Sequence, residues 1–99
     1  MILITGTIRL PEDALEKARP IMARMIASSR AEEGCLAYHY APDLIDAGLI
    51  HVIERWRDRS ALDRHFSSAH LAEWRAAFPT LGITDRDLKL FEVGDGEPT

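Results

Sequence analysis

Residues 35–57 read CLAYHYAPDLIDAGLIHVIERWR and hold two segments in which side chains of different polarity alternate. The alternation over 35–40, and again over 49–57, has the period of two that β-strands show. Pro42 and Gly48 lie between the two segments, and both residue types favour turns. The whole stretch therefore predicts a β-hairpin.

The register of this hairpin determines which side chains share a face of the sheet. With a turn centred near Ile45, His39 lies opposite His51 and Tyr38 lies opposite Val52. A slip by one residue would move every side chain of a strand to the other face, so the register also predicts which side chains lie together on one face.

The residues before the hairpin predict a strand followed by a helix. Residues 2–9 are rich in β-branched side chains and alternate loosely. Pro11 suits a first helical position, and an apolar stripe at helical spacing follows it as far as the stop signal Gly34. Pro20 lies inside this segment, and because proline removes a hydrogen bond we expect a kink or a helix in two pieces.

The residues after the hairpin predict a second helix and a last strand. Ser60-Ala-Leu-Asp63 fits a capping box, so a helix is expected to begin there. The pair Ser67-Ser68 allows a bend or a break, and Gly82 ends the helical region. Residues 87–94 alternate again, as a strand does.

These elements follow the order strand-helix-strand-strand-helix-strand. Right-handed crossovers then place four strands in one antiparallel sheet with the helices on one face, an α+β fold of the ferredoxin-like βαββαβ type. We expect a single domain over residues 1–94 and a polar tail over residues 95–99. Alternate residues of a strand point to opposite faces of the sheet, and here both sets contain apolar residues. The helices cover one face, so we expect a second copy of the chain to cover the other face and form a homodimer.

Composition and charge exclude several classes of protein. The chain has 99 residues, 46% of them apolar, and its net charge of −4 comes without any basic run, so we expect no nucleic-acid partner. No apolar run approaches the roughly 18 residues of a membrane span, and the N-terminal residues do not form a signal peptide. Cys35 is the only cysteine, which agrees with a reducing compartment and predicts a cytoplasmic protein.

The common nucleotide-binding, protease and hydrolase motifs are absent. His65 and His70 are five residues apart, which separates them by about 140° around an unbroken helix, too far for one metal ion. A break at Ser67-Ser68 would bring them closer, but we expect no metal site.

Three stretches of the chain resemble a known family: Arg30-Ala-Glu-Glu-Gly-Cys-Leu-Ala-Tyr38, Ile53-Glu-Arg-Trp56 and Ser60-Ala-Leu-Asp-Arg-His65-Phe-Ser-Ser-Ala-His70-Leu. Together they resemble the antibiotic biosynthesis monooxygenase family, which includes bacterial quinol monooxygenases, and the likeness runs from the first strand to about Phe78. The resemblance implies a dimeric α+β barrel made of two ferredoxin-like sheets, with an apolar cavity between the sheet and the helices of each subunit. It also implies oxygenation of an electron-rich phenol, anthrone or quinol by O₂ without metal, flavin or haem.

The sequence has candidates for this chemistry. A histidine near its free pKa, His65, can take a phenolic proton, and Trp56 can stack on an aromatic ring, so we assign catalysis to these two residues. We expect a small aromatic substrate, O₂ and no cofactor. The side chains expected to contact the substrate are Tyr38, His39, Val52, Leu62, Phe66 and His70.

Two departures from the family narrow the resemblance. Where anthrone oxygenases have an asparagine and a tyrosine, this chain has Val52 and Leu62, which weakens a polyketide assignment. Haem-degrading members have a tryptophan and a histidine near the positions where this chain has His65 and Arg75, which argues against haem cleavage. Two alternatives stay open: an isomerase or small-carbonyl processing enzyme in which His65 moves protons without O₂, and a non-catalytic dimeric ligand-binding or stress-response module.

Overall fold

The computed structural model describes residues 1–99 and contains four strands, one long helix and three short ones. The strands are β1 (Ile2–Arg9), β2 (Cys35–Pro42), β3 (Leu49–Trp56) and β4 (Thr84–Glu92). The helices are α1 (Leu15–Arg30), α2 (Arg59–Phe66), α3 (Ala69–Ala76) and α4 (Phe78–Leu81), and a 3₁₀ turn (Glu12–Ala14) precedes α1. None of these helices has the length and apolarity needed to cross a membrane.

The four strands form one antiparallel sheet in the order β2-β3-β1-β4. Helix α1 connects β1 to β2 and the three short helices connect β3 to β4, so both connections cross over a neighbouring strand. This order and these crossovers define the ferredoxin-like arrangement, and the predicted fold class is confirmed.

The hydrophobic core lies between the sheet and the helices. Strand β3 alternates along its length, so Ile50, Val52, Glu54 and Trp56 are buried against the helices while their neighbours are exposed or only partly buried. The stripe predicted for the first helix is present, and its buried members are Ala18, Met22, Met25 and Ser29. One face of the sheet is therefore committed to packing within the subunit.

The predicted register of the hairpin is wrong by two residues. Tyr38 pairs with Glu54 instead of Val52. The connection turns later because the Asp43 carboxylate accepts hydrogen bonds from the backbone N–H groups two and three residues further along, which occupies the start of the loop. Since the shift is even, every side chain stays on its predicted face.

Two helix predictions also need correction. The carboxylate of Asp58, and not the hydroxyl of Ser60, caps α2 by accepting a hydrogen bond from the N–H of Ala61 at 2.9 Å. A negative charge is favoured at that end of a helix. Helix α1 is uninterrupted at Pro20, because the carbonyl that proline leaves without a partner belongs to the exposed Glu16, where water can bond to it.

The opposite face of the sheet exposes large apolar side chains that nothing in the subunit covers. Ile53 and Phe91 lie on this face at 41% and 46% exposure. Exposed apolar side chains on an uncovered sheet face are a feature of interfaces.

Candidate functional site

A cavity of about 180 Å³ lies between the sheet and helices α2 to α4. Side chains of all four strands form its floor, and nine of its fourteen lining residues are apolar. Its aromatic lining residues are Tyr38, Tyr40, Phe66, Trp74 and Phe78. The resemblance implied a cavity in this place, and the structure contains one.

His65 reaches this cavity from the end of α2, where the chain breaks before α3. Ser68 makes the break, because its hydroxyl donates to the carbonyl of His65 at 2.6 Å and accepts from the N–H of Leu71 at 3.3 Å. One residue thereby ends a helix and caps the next. The break predicted at Ser67-Ser68 is confirmed, and it leaves His65 fixed and only 1% exposed.

Glu32, in the turn after α1, joins His65 to His70. Its Oε2 lies 2.6 Å from His65 Nδ1 and 2.8 Å from His70 Nε2. Because a carboxylate oxygen accepts, each of these ring nitrogens donates, and the neutral His65 ring then has its free lone pair on Nε2. Burial lowers the pKa of His65 more than Glu32 raises it, which favours this neutral form.

The same three side chains have ligand atoms that all lie within 4.8 Å of one another. The prediction against a metal site assumed that His65 and His70 share an unbroken helix. The break between α2 and α3 removes that objection.

Tyr38 lies beside the free nitrogen of His65. The distance from Tyr38 Oη to His65 Nε2 is 3.5 Å, the outer limit of a hydrogen bond. Burial raises the pKa of Tyr38 far above its usual range, so the hydroxyl keeps its proton. The Tyr38 hydroxyl can therefore donate a hydrogen bond and does not act as a base.

Glu54 is a second titratable group on the cavity wall. Its Oε1 accepts a hydrogen bond from Trp56 Nε1 at 3.0 Å. Burial raises the pKa of Glu54, because removing a carboxylate from water disfavours its charged form. A buried carboxyl group with a raised pKa on a cavity is a candidate for proton exchange with a ligand.

The structure brings together only part of the predicted site. Tyr38, His65 and Phe66 line the cavity. Trp56 is fully buried and does not line it, but its ring packs on that of His65 with centroids 4.6 Å apart. Trp56 therefore supports His65 from behind.

The other predicted contact residues lie away from the cavity. Val52 and Leu62 are buried in the core without lining it, and His70 lies outside it beside Glu32. His39 projects from the opposite face of the sheet, and its Nδ1 lies 3.0 Å from a guanidinium nitrogen of Arg30. Alternate side chains of β2 point to opposite faces of the sheet, and His39 lies on the face away from the helices and the cavity.

Several residues of the site were missed from sequence, and three of them bear on its polar contacts. Glu54 could have been found from sequence, because it is an acidic residue at a β3 position where the alternation predicts a buried side chain. Glu32 could not have been found in this way, because it is 33 residues away from His65 along the chain. Trp74 lines the cavity, and its Nε1 is buried without an acceptor in the chain, a feature that no sequence pattern reveals.

The cavity is suited to one aromatic ring. An apolar cavity of about 150 Å³ can hold benzene, and this one is slightly larger. At its edge the guanidinium groups of Arg75 and Arg86 lie 5.8 and 5.5 Å from the ring centres of Phe66 and Phe78. Its walls are thus mainly apolar, with five aromatic side chains, positive charge at the edge and the titratable groups His65 and Glu54.

Comparisons with known proteins agree with this geometry. Residues 1–77 match the sequence model of the family described as antibiotic biosynthesis monooxygenase. The Synechocystis protein sll1783 is 28% identical over 94 residues, which cover 95% of this chain and 64% of that protein. Rv0793 of Mycobacterium tuberculosis, named a "putative monooxygenase", is 39% identical over 64 residues, which cover 65% of this chain and 62% of that protein. The chain therefore spans less than two thirds of the length of each of these relatives.

Solved structures show the same fold. A Deinococcus radiodurans protein superposes with a TM-score of 0.91 over 100% of this chain and 98% of its own, at 23% identity. The structure of Rv0793 superposes with a TM-score of 0.81 over 98% of both chains, at 28% identity.

Proposed function

Because this chain belongs to the antibiotic biosynthesis monooxygenase family, we propose that it oxidises a small quinol or phenol with O₂ and without a bound cofactor. The observation that supports this function most is the hydrogen bond between His65 and Glu32 at the wall of an aromatic cavity. His65 supplies a base, and the largely apolar cavity supplies a place for an aromatic ring to bind.

Removal of a proton from the substrate is the first step. A substrate hydroxyl group bound beside Tyr38 gives its proton to His65 Nε2, since Nδ1 donates to Glu32. The imidazolium that forms lies against the Glu32 carboxylate, which stabilises it. The Tyr38 hydroxyl donates a hydrogen bond to the substrate oxygen and holds the ring in place.

The ionised ring then supplies the electrons. It gives one electron to O₂, and recombination of the radical pair forms a C–O bond on the ring. The ring peroxide takes the proton back from His65 and becomes a hydroperoxide. Its O–O bond then breaks, the ring carbon that holds it loses its hydrogen as a proton, and water leaves, which gives the oxidised product. One hydroquinone and one O₂ thus give one hydroxyquinone and one water, and the apolar walls protect the intermediates from solvent.

The size of the cavity narrows the substrate class. About 180 Å³ accepts one ring with small substituents and is too small for a multi-ring polyketide or for haem. This agrees with the absence of the anthrone-oxygenase side chains at Val52 and Leu62.

Oxygen uptake by the purified protein tests the proposal. With methylhydroquinone or menadiol, and EDTA present, we expect uptake above the autoxidation rate, faster for the one-ring quinol. His65→Ala and Tyr38→Phe should slow it, whereas His51→Gln, whose ring bonds Asp43 outside the cavity, should not. Uptake that never exceeds autoxidation contradicts the function, and an unchanged rate in His65→Ala contradicts the assigned base.

We also propose that the chain works as a homodimer through its exposed sheet face. Ile53 and Phe91 lie on that face at 41% and 46% exposure, and a second sheet would bury them. Light scattering should give twice the mass of one chain for the wild type and the mass of one chain for Ile53→Glu; equal masses contradict this interface. We place the dimer in the cytoplasm, since the single Cys35 thiol is free.

Proton transfer without oxygen is the second candidate function, because Glu54 lines the same cavity as His65. Two such groups can remove a proton from one atom of a carbonyl compound and return it to another. Turnover under strictly anaerobic conditions would favour this function. A purely ligand-binding module would fit a cavity packed shut by Met22, Met25, Leu62 and Phe66. Of these four side chains only Phe66 lines the cavity, which keeps a volume of about 180 Å³.

A further inference from the structure

We propose that Glu32, His65 and His70 form a binding site for one divalent transition-metal ion, and that this ion and the substrate proton compete for His65. The three ligand atoms lie within 4.8 Å of one another, and one carboxylate oxygen is 2.6 and 2.8 Å from the two ring nitrogens. The ligands come from the turn after α1, from α2 and from α3, so the folded chain alone assembles them.

The present distances are compatible with an ion after a small expansion. Zinc bonds to nitrogen and oxygen are about 2.0–2.1 Å long, which separates the donors of a tetrahedral site by about 3.3 Å. The Glu32 oxygen now lies closer than this to each ring nitrogen, at 2.6 and 2.8 Å, because a hydrogen atom, and not an ion, lies between them. The His70 and Glu32 side chains are 23% and 16% exposed and can move apart, while His65 at 2% stays fixed.

The donor set selects the class of ion. Two imidazoles and one carboxylate suit zinc and the neighbouring first-row divalent metals. Magnesium and calcium prefer oxygen ligands alone, so they should bind poorly here. The partly exposed side of the cluster leaves the remaining coordination positions to water.

Binding of the ion changes the chemistry of His65. A metal ion on Nδ1 takes the lone pair there, so the ring proton must lie on Nε2, where Tyr38 Oη at 3.5 Å can accept it. Nε2 then has no lone pair for a substrate proton. The bound ion therefore inhibits the reaction, an effect that rests on the proposed function, whereas the binding itself does not.

Titration of Zn²⁺ into EDTA-treated and dialysed protein tests the site by calorimetry, and the visible absorption of bound Co²⁺ reports on its ligands. We expect one Zn²⁺ per chain and no comparable heat with Mg²⁺. His70→Ala and Glu32→Gln should each weaken Zn²⁺ binding at least tenfold, while His51→Gln should keep the wild-type affinity. Circular dichroism checks that each variant is folded.

Wild-type affinity in both His70→Ala and Glu32→Gln, or an equal loss in His51→Gln, would overturn the site. In the wild type, quinol-dependent O₂ uptake should fall as Zn²⁺ fills the site and recover with EDTA. An unchanged rate at full occupancy, or a rate that rises with Zn²⁺ or Fe²⁺, overturns the competition. If Zn²⁺ binds as expected but no quinol is oxidised under any condition, the proposed function and the inhibition fail and the metal site stands.

Discussion

Replacing Glu32 by glutamine should slow catalysis while leaving substrate affinity unchanged. Glu32 does not line the cavity, but its Oε2 lies 2.6 Å from His65 Nδ1, and the two side chains are only 16% and 2% exposed. Glutamine keeps the size of the side chain and an oxygen that can accept from Nδ1. It removes the negative charge that stabilises the imidazolium, so Glu32 is a positioning residue that acts through His65.

The size of the effect follows from the change in one hydrogen bond. A hydrogen bond to a charged group contributes about 1.5–3 kcal/mol and a neutral one about 0.5–1.5 kcal/mol. The net loss is therefore about 1–1.5 kcal/mol of transition-state stabilisation. At 1.36 kcal/mol for each factor of ten, kcat should fall about 5- to 13-fold.

Steady-state O₂ uptake with methylhydroquinone and EDTA measures this effect, since kcat and KM are obtained separately. Glu33→Gln is the matched control, because its carboxylate is exposed and pairs only with Arg57 at 3.5 Å. We expect a lower kcat with unchanged KM for Glu32→Gln, and wild-type values for Glu33→Gln. Equal kcat values in the two variants, or a rise in KM with kcat unchanged, would refute the role assigned to Glu32.

Three further predictions concern stability. Glu54→Gln should raise the urea midpoint of unfolding near pH 8 but not near pH 4. Burial holds the pKa of Glu54 above its ordinary 4.5, so ionisation of this carboxyl group as the pH rises destabilises the folded state. Equal shifts of the midpoint at both pH values would contradict this cause. Gly34→Ala should lower the free energy of unfolding by more than about 1 kcal/mol. The backbone φ of Gly34 is +85°, and the new Cβ would lie 2.5 Å from the Cβ of Ala61. An unchanged thermal midpoint would contradict this strain. Hydrogen bonds from His51 and two backbone N–H groups lower the pKa of Asp43 to about 2, so its stabilising effect is complete above about pH 4 and is lost as the pH falls through 2. The thermal midpoint of Asp43→Asn should therefore lie below that of the wild type at pH 5, with a difference that shrinks towards pH 2; a constant difference contradicts the shift.

The sequence predicted the fold well because periodicity and crossover handedness determine it. Alternation in the strands and the stripe on α1 were sufficient for element order, sheet topology and the buried face. The hairpin register and the start of α2 were not predictable in this way. The register and the helix start depend on which of several nearby acceptors forms a hydrogen bond with a backbone N–H group. In this chain the carboxylates of Asp43 and Asp58 accept these bonds.

The candidate site was predictable only where it follows strand phase or helix position. Tyr38 was found from its strand phase, and His65 from the resemblance to the family and the ability of an imidazole to take a phenolic proton; both line the cavity. Glu32 was missed because contact between the turn after α1 and the end of α2 is a tertiary event. The environment of His65, and with it its chemistry, depends on that contact.

The position of His70 is the strongest argument that the cluster serves more than proton transfer. A general base needs only His65 and the carboxylate that orients it. His70 shares the same Glu32 oxygen at 2.8 Å, and a second donor on one acceptor weakens its hold on the first. Ser68 breaks the helix and so brings His70 to this place, across what would be about 140° of an unbroken helix. A divalent ion gives all three side chains a common role, since it replaces two shared protons with one charge that each ligand can coordinate.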